Sequence, residues 1–147
     1  MENLEQDVRR SGACLCGAVR ISVDIKQNDL GVCHCANCRK WSGGPFFEVE
    51  VGSDVTIEGE QAIQVYASSN WAERGFCKVC GSHLFIRDKS TNAYGIPPGL
   101  FEDDSSFQFN RQVFSDQKPV YYSFSNHTKN ITSDFIYKNF PQVQEDI

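Results

Sequence analysis

Hydrophobic and polar residues alternate with a period of two through several short stretches of the chain. In AVRISVDI, Val19, Ile21, Val23 and Ile25 fall on one side and Arg20, Ser22 and Asp24 on the other. FEVEV repeats the pattern, with Phe47, Val49 and Val51 opposed by Glu48 and Glu50. SDVTIEG, AIQVYAS, SHLFIRD and PVYYSFS are further short candidates, each bounded by Gly, Pro, Asn, Asp or Ser. A period of two is that of a strand with one buried face, and the bounding residues are turn formers. Helical spacing is weak. It is best over Ser133-Asp134-Phe135-Ile136-Tyr137, where Ser133 would cap a turn or two. The pattern predicts an all-β fold of twisted antiparallel sheets with little helix, a single domain over residues 11–141. Residues 1–10 read as a flexible arm and residues 142–147 as a tail.

Composition agrees with this and narrows the function. Across 147 residues the chain is 40% hydrophobic and 22% charged, an ordinary globular balance, so a buried core is expected. Eleven Phe against one Met suits a sheet-rich core. The net charge of −5, with basic pairs only at Arg9-Arg10 and Arg39-Lys40, speaks against a nucleic-acid surface. No apolar run approaches a membrane span, and no membrane partner is expected. The polar N-terminus is unlike a secretory signal, so the expected compartment is the reducing cytoplasm, with cysteines as thiols or thiolates. The triplets Asn126-His127-Thr128 and Asn130-Ile131-Thr132 fit a glycosylation pattern and are read as loop composition. A homo-oligomer is compatible with all of this.

The seven cysteines change the picture most. They fall in three groups: Cys14-x-Cys16, Cys33-x-Cys35-x-x-Cys38 and Cys77-x-x-Cys80. An odd count and tight spacing suit disulfides poorly, and buried apolar cysteines would be scattered. Iron–sulfur ligation is the rival metal reading; zinc is preferred. CLCG and CKVCG each place Gly directly after the second Cys, where a positive φ turns backbone N–H groups toward the sulfurs. Two such knuckles make a closed four-cysteine structural site from Cys14, Cys16, Cys77 and Cys80. Cys33, Cys35 and Cys38 remain, and three ligands with an open position are the arrangement of a catalytic zinc. The alternative is a second structural site completed by His34, His83 or His127. In an extended C-H-C, His34 points away from its neighbours' face. Two zinc ions per chain are therefore expected, the second incompletely held.

The segments GACLCGAVRISV, CHCANCRKWSGGPF, AERGFCKVCGSHLF and PPGLFEDDSSFQFNRQVFSDQKPVY, followed by FP, fall in an order that resembles the glutathione-dependent formaldehyde-activating enzyme (GFA) family. The likeness runs from about Gly12 to Phe140. It implies a β-tent, antiparallel sheets around a structural zinc site, and the same division of cysteines into a structural four and a catalytic three. It also implies a carbon–sulfur lyase joining a small-molecule thiol, glutathione, to an aldehyde, formaldehyde. Arg39, Lys40, Arg74 and Lys78 flank the ligands, either as anchors for an anionic thiol or as charge balance for zinc thiolates. Trp41, Phe46 and Phe47 are read as a pocket wall or as core. Neither Glu48 nor Tyr66 is distinguished as a base. Two positions depart from the family pattern: Gln112 stands where many relatives carry His, and Tyr121 or Tyr122 replaces a tryptophan. If either shapes the pocket, the substrate differs from glutathione. The alternative function is a non-enzymatic zinc-binding β-tent that mediates protein or chromatin interaction.

Overall fold

Val19, Ile21, Val23 and Ile25 are all but removed from water. Each such side chain stabilises the fold by about 1.5–3 kcal/mol. The computed structural model describes residues 8–144. Its first sheet has three antiparallel strands in the order β1 (Val8–Ala13), β2 (Arg20–Ile25) and β5 (Val55–Glu58). The second sheet has eight strands. They are β3 (Asp29–Cys33), β4 (Phe46–Val51), β6 (Ile63–Ala67), β7 (Ala72–Cys77), β8 (His83–Asp88), β9 (Tyr94–Ile96), β10 (Gln108–Val113) and β11 (Lys129–Ile131). Across the sheet they run β11-β10-β3-β4-β9-β8-β7-β6. The alternating residues of β2 pack with Leu30, Val49, Leu84, Ile96 and Phe101 as one core between the sheets.

The described residues also form three short α-helices, α1 (Ala36–Ser42), α2 (Ser133–Asn139) and α3 (Pro141–Gln144), and three single turns of 3-10 helix. The expectation of a mostly β single domain holds, with four differences of detail. First, β10 runs parallel to both β3 and β11, so the larger sheet is mixed rather than wholly antiparallel. Second, residues 8–10, read as part of the arm, begin β1, because Val8, Arg9 and Arg10 pair with Ile25, Asp24 and Val23. Residues 1–7 and 145–147 lie outside the described part, while residues 142–144, read as tail, belong to α3. Third, PVYYSFS forms no ladder. Its alternation still sorts the side chains, turning Tyr122 and Phe124 inward while Tyr121 and Ser123 stay exposed. Fourth, Thr132 rather than Ser133 caps α2, accepting from the Phe135 N–H. Among the described residues no helix is long and apolar enough to cross a membrane.

Two thiol clusters and a cavity

Backbone geometry brings the cysteines into two clusters. The sulfurs of Cys14, Cys16, Cys77 and Cys80 lie within 4.8 Å of one another, and so do those of Cys33, Cys35 and Cys38. The first cluster is made by two tight turns, one leading into β2 and one joining β7 to β8. Gly17 and Gly81 have φ of 81° and 80°, a region open to glycine without strain. Each glycine N–H bonds back to the carbonyl of the first cysteine, Cys14 at 3.0 Å and Cys77 at 2.8 Å. The Val19 N–H donates to Cys14 Sγ at 3.3 Å. Ser82 links the two turns, accepting from the Leu15 N–H at 3.0 Å and lying 3.2 Å from Cys80 Sγ.

The second cluster depends on a switch from strand to helix. Cys33 ends β3, and Cys35 is the N-cap of α1 with φ −64° and ψ 159°. Extended backbone over residues 33–35 puts Cys33 and Cys35 on one side and His34 on the other. Cys38, in the first turn, completes the set: its N–H donates to Cys35 Sγ at 3.4 Å, so a thiol fills the capping role. Helix α1 is missing from the sequence reading because seven residues with little apolar spacing carry no helical period, and Cys is not a usual cap. The trio titrates as a unit. A hydrogen bond from Cys33 holds Cys35 down to about 2, and the same contact pushes Cys33 well above the usual thiol range.

None of the histidines considered as a fourth ligand joins this set. His34 is fully buried, with Nδ1 2.8 Å from the Tyr122 hydroxyl and Nε2 2.7 Å from Gln112 Oε1. His83 lies flat against Trp41, ring centroids 3.9 Å apart, and His127 is exposed. Among the described residues, no other His, Cys, Asp or Glu donor falls within the cluster. Both clusters suit a soft, tetrahedral metal ion such as zinc on the chemistry of their donors: all sulfur, mutually close, and served by N–H groups.

The two departures from the family pattern meet at His34. Gln112 Nε2 donates to Thr128 Oγ1 at 3.0 Å, which leaves its Oε1 as acceptor for the His34 Nε2–H. His34 Nδ1 then accepts from Tyr122, and burial lowers the imidazole pKa, favouring this neutral form. Neither Gln112 nor Tyr122 lines the cavity; both fix the residue between two ligands from behind. Gln112→Leu removes the acceptor of a buried N–H and is expected to lower stability by about 1–3 kcal/mol. Urea unfolding at neutral pH measures it, and an unchanged midpoint would contradict the network.

On the other side, Cys33, Cys35 and Cys38 border a cavity of about 470 Å³. The face of the larger sheet that bears Glu48 forms its floor, and Ile136, Phe140 and Val143 of the C-terminal segment contribute to its wall with Trp71, Ile86 and Phe114. Phe114 holds φ 53°, a strained region for a bulky residue, immediately after β10. Glu48, which alternation would place in solvent, faces this cavity because the C-terminal helices cover that side. Burial pushes its carboxyl up to about 7. Trp41, Phe46 and Phe47, read as wall or as core, do not line this cavity: Phe46 packs on Trp41, and Phe47 on Phe109 and Phe124.

Of the four cations flanking the ligands, only Arg74 reaches the cavity. Its Nη1 and Nη2 both lie 3.7 Å from Cys38 Sγ, its Nε donates to Ser68 Oγ at 3.0 Å, and its guanidinium sits over Trp41. That is charge balance for a thiolate. Arg39 Nε instead donates to the His34 carbonyl at 2.8 Å, bracing the ligand loop.

Comparison with known proteins follows the same lines. Residues 9–117 match the family described as glutathione-dependent formaldehyde-activating enzyme. An uncharacterized lyase of Schizosaccharomyces pombe is 36% identical over 129 residues, 87% of this chain and 94% of that protein. A Halomonas elongata protein, provisionally named a glutathione-dependent formaldehyde-activating enzyme, is 30% identical over 86 residues, 52% of this chain and 55% of its own. The crystal structure of a Rhodobacter sphaeroides protein shares the fold, with a TM-score of 0.56, 24% identity, and coverage of 68% of this chain and 99% of that one. With both cysteine clusters inside the matched span, the chain belongs to the glutathione-dependent formaldehyde-activating enzyme family.

Proposed function

We propose that the protein is a zinc-dependent carbon–sulfur lyase that adds a thiol, glutathione or similar, to formaldehyde or another small aldehyde, or runs the reverse. Cys14, Cys16, Cys77 and Cys80 would hold a structural zinc, and Cys33, Cys35 and Cys38 a catalytic one. The observation that carries this reading is a set of three sulfurs, with no fourth protein donor among the described residues, bordering a cavity of substrate size. Bound there, zinc supplies acidity to a thiol or polarisation to an aldehyde oxygen.

In the forward direction a sulfur–carbon bond forms, the carbonyl π bond opens, and the thiol proton ends on the new hydroxyl oxygen. The chain's own residues organise this event. Arg74 holds positive charge against Cys38 Sγ, and the capped first turn of α1 fixes Cys35 and Cys38 on one face. His34, locked by Gln112 and Tyr122, keeps Cys33 and Cys35 turned to the cavity side. Ile136, Phe140 and Trp71 give the cavity an apolar lining. Family membership and the lyase name of the yeast relative support this reading over an interaction module.

Nuclear magnetic resonance exchange between formaldehyde and its hydroxymethyl thioether tests the activity. The zinc-loaded protein is expected to accelerate exchange well above the spontaneous rate for at least one thiol, and the acceleration should vanish when metal is stripped. A protein with both sites filled that accelerates exchange for none of a broad panel of thiols and aldehydes would contradict the reading.

A further inference from the structure

The cavity's charge is at odds with a doubly carboxylated thiol. Glu48 sits in β4 opposite Gly31 of β3, and a Cβ at Gly95 of β9 would come within 2.6 Å of its Oε2. A glycine thus keeps the space that the carboxylate occupies. The other acids at the cavity are engaged: Glu50 pairs with Arg111 at 3.0 Å, and Asp88 accepts from the Ser90 N–H and hydroxyl. Glu48 alone has no hydrogen-bond donor among the described residues. Glu48 is half-buried, so its carboxylate keeps only part of its water, and a ligand that supplies a donor adds a hydrogen bond that no side chain makes.

Among the described residues no cation beside Glu48 is free: Arg111, which lies over Gly31 and whose charge reaches Glu48, pairs with Glu50. Arg74 is spent on Cys38, Ser68 and Trp41, and Arg39, Lys40 and Lys78 do not line the cavity. A zinc ion on three thiolates would carry a net negative charge, which Arg74 would offset, and Glu48 in its ionised form would leave the interior negative. The opposite wall is apolar and includes Ile136, Phe140 and Val143, which follow the family-matched span.

We propose that Glu48 sets substrate charge: the cavity takes a thiol, or its aldehyde adduct, with an apolar body and a cationic or N–H-donating end, in preference to carboxylate-bearing thiols such as glutathione. This rests on the trio as the reactive site, and its test is separable from the lyase assay. Calorimetric binding to the zinc-loaded protein compares benzyl mercaptan with its para-aminomethyl and para-carboxylate derivatives, and with glutathione.

The aminomethyl thiol is expected to bind at least about ten-fold tighter than the carboxylate, the scale of one charge-assisted hydrogen bond. Glu48→Gln should shrink that ratio to about three-fold or less while leaving the uncharged thiol's affinity and the zinc content unchanged. Gly95→Ala, which crowds the carboxylate from the other side, should weaken the aminomethyl thiol selectively. Tighter binding of the carboxylate or of glutathione, a ratio that survives Glu48→Gln, or no binding by any of the thiols overturns the proposal. Charge-selective binding without turnover would leave it standing and remove the lyase reading; turnover that prefers glutathione does the reverse.

Discussion

Cys80→Ser is expected to unfold most of the protein at room temperature, and a strong chelator should do the same to the unaltered chain. The four-cysteine cluster joins the turn before β2 to the turn between β7 and β8, and Cys16 and Cys77 stand 61 positions apart with their sulfurs 3.7 Å from each other. One turn belongs to the three-stranded sheet and the other to the eight-stranded sheet, so the ion would staple the two layers of the core. Structural zinc contributes roughly 10–16 kcal/mol in small domains. A domain of this size has only about 5–15 kcal/mol of net stability to lose. Circular dichroism with zinc analysis checks this. A folded, zinc-poor Cys80→Ser protein would contradict a structural role.

The second large effect separates function from folding. Cys35→Ser should leave the fold and one zinc ion in place and reduce thiol–aldehyde exchange to the spontaneous rate. Serine at this position is a better N-cap than cysteine and can still accept from the Cys38 N–H, so α1 keeps its start. What it cannot do is provide a thiolate, and two sulfurs do not make a tight zinc site. Melting temperature, zinc content and exchange rate, taken on one preparation, decide the matter. If Cys35→Ser melts as early as Cys80→Ser, both clusters are scaffolding and the division between them fails.

Much of this was visible in the sequence, for identifiable reasons. Period-two alternation marked β2 because both ends of its apolar face meet a single core, and the glycines of CLCG and CKVCG marked the turns because only a positive φ closes them. Strands β1, β3, β7, β9, β10 and β11 escaped that reading. In β3, Leu30, Gly31 and Val32 are buried in succession, and β7 buries Arg74 among its apolar positions, so neither of these two alternates. Alternation set Glu48 opposite the apolar face of its strand, the side that ordinarily meets water, and could not show that residues of α2 and α3, far along the chain, line a cavity with it. Gln112 and Tyr122 were marked only as unusual, since no local pattern says that both reach His34. Long-range closure, not local propensity, builds the cavity.

A crystal structure with anomalous scattering collected at the zinc edge tests the central claim most directly. Two peaks per chain are predicted, one among Cys14, Cys16, Cys77 and Cys80 and one touching only Cys33, Cys35 and Cys38, its fourth position turned to the cavity and filled by solvent or an added thiol. A second peak capped by a protein side chain, or a disulfide within the trio of freshly reduced protein, would contradict it.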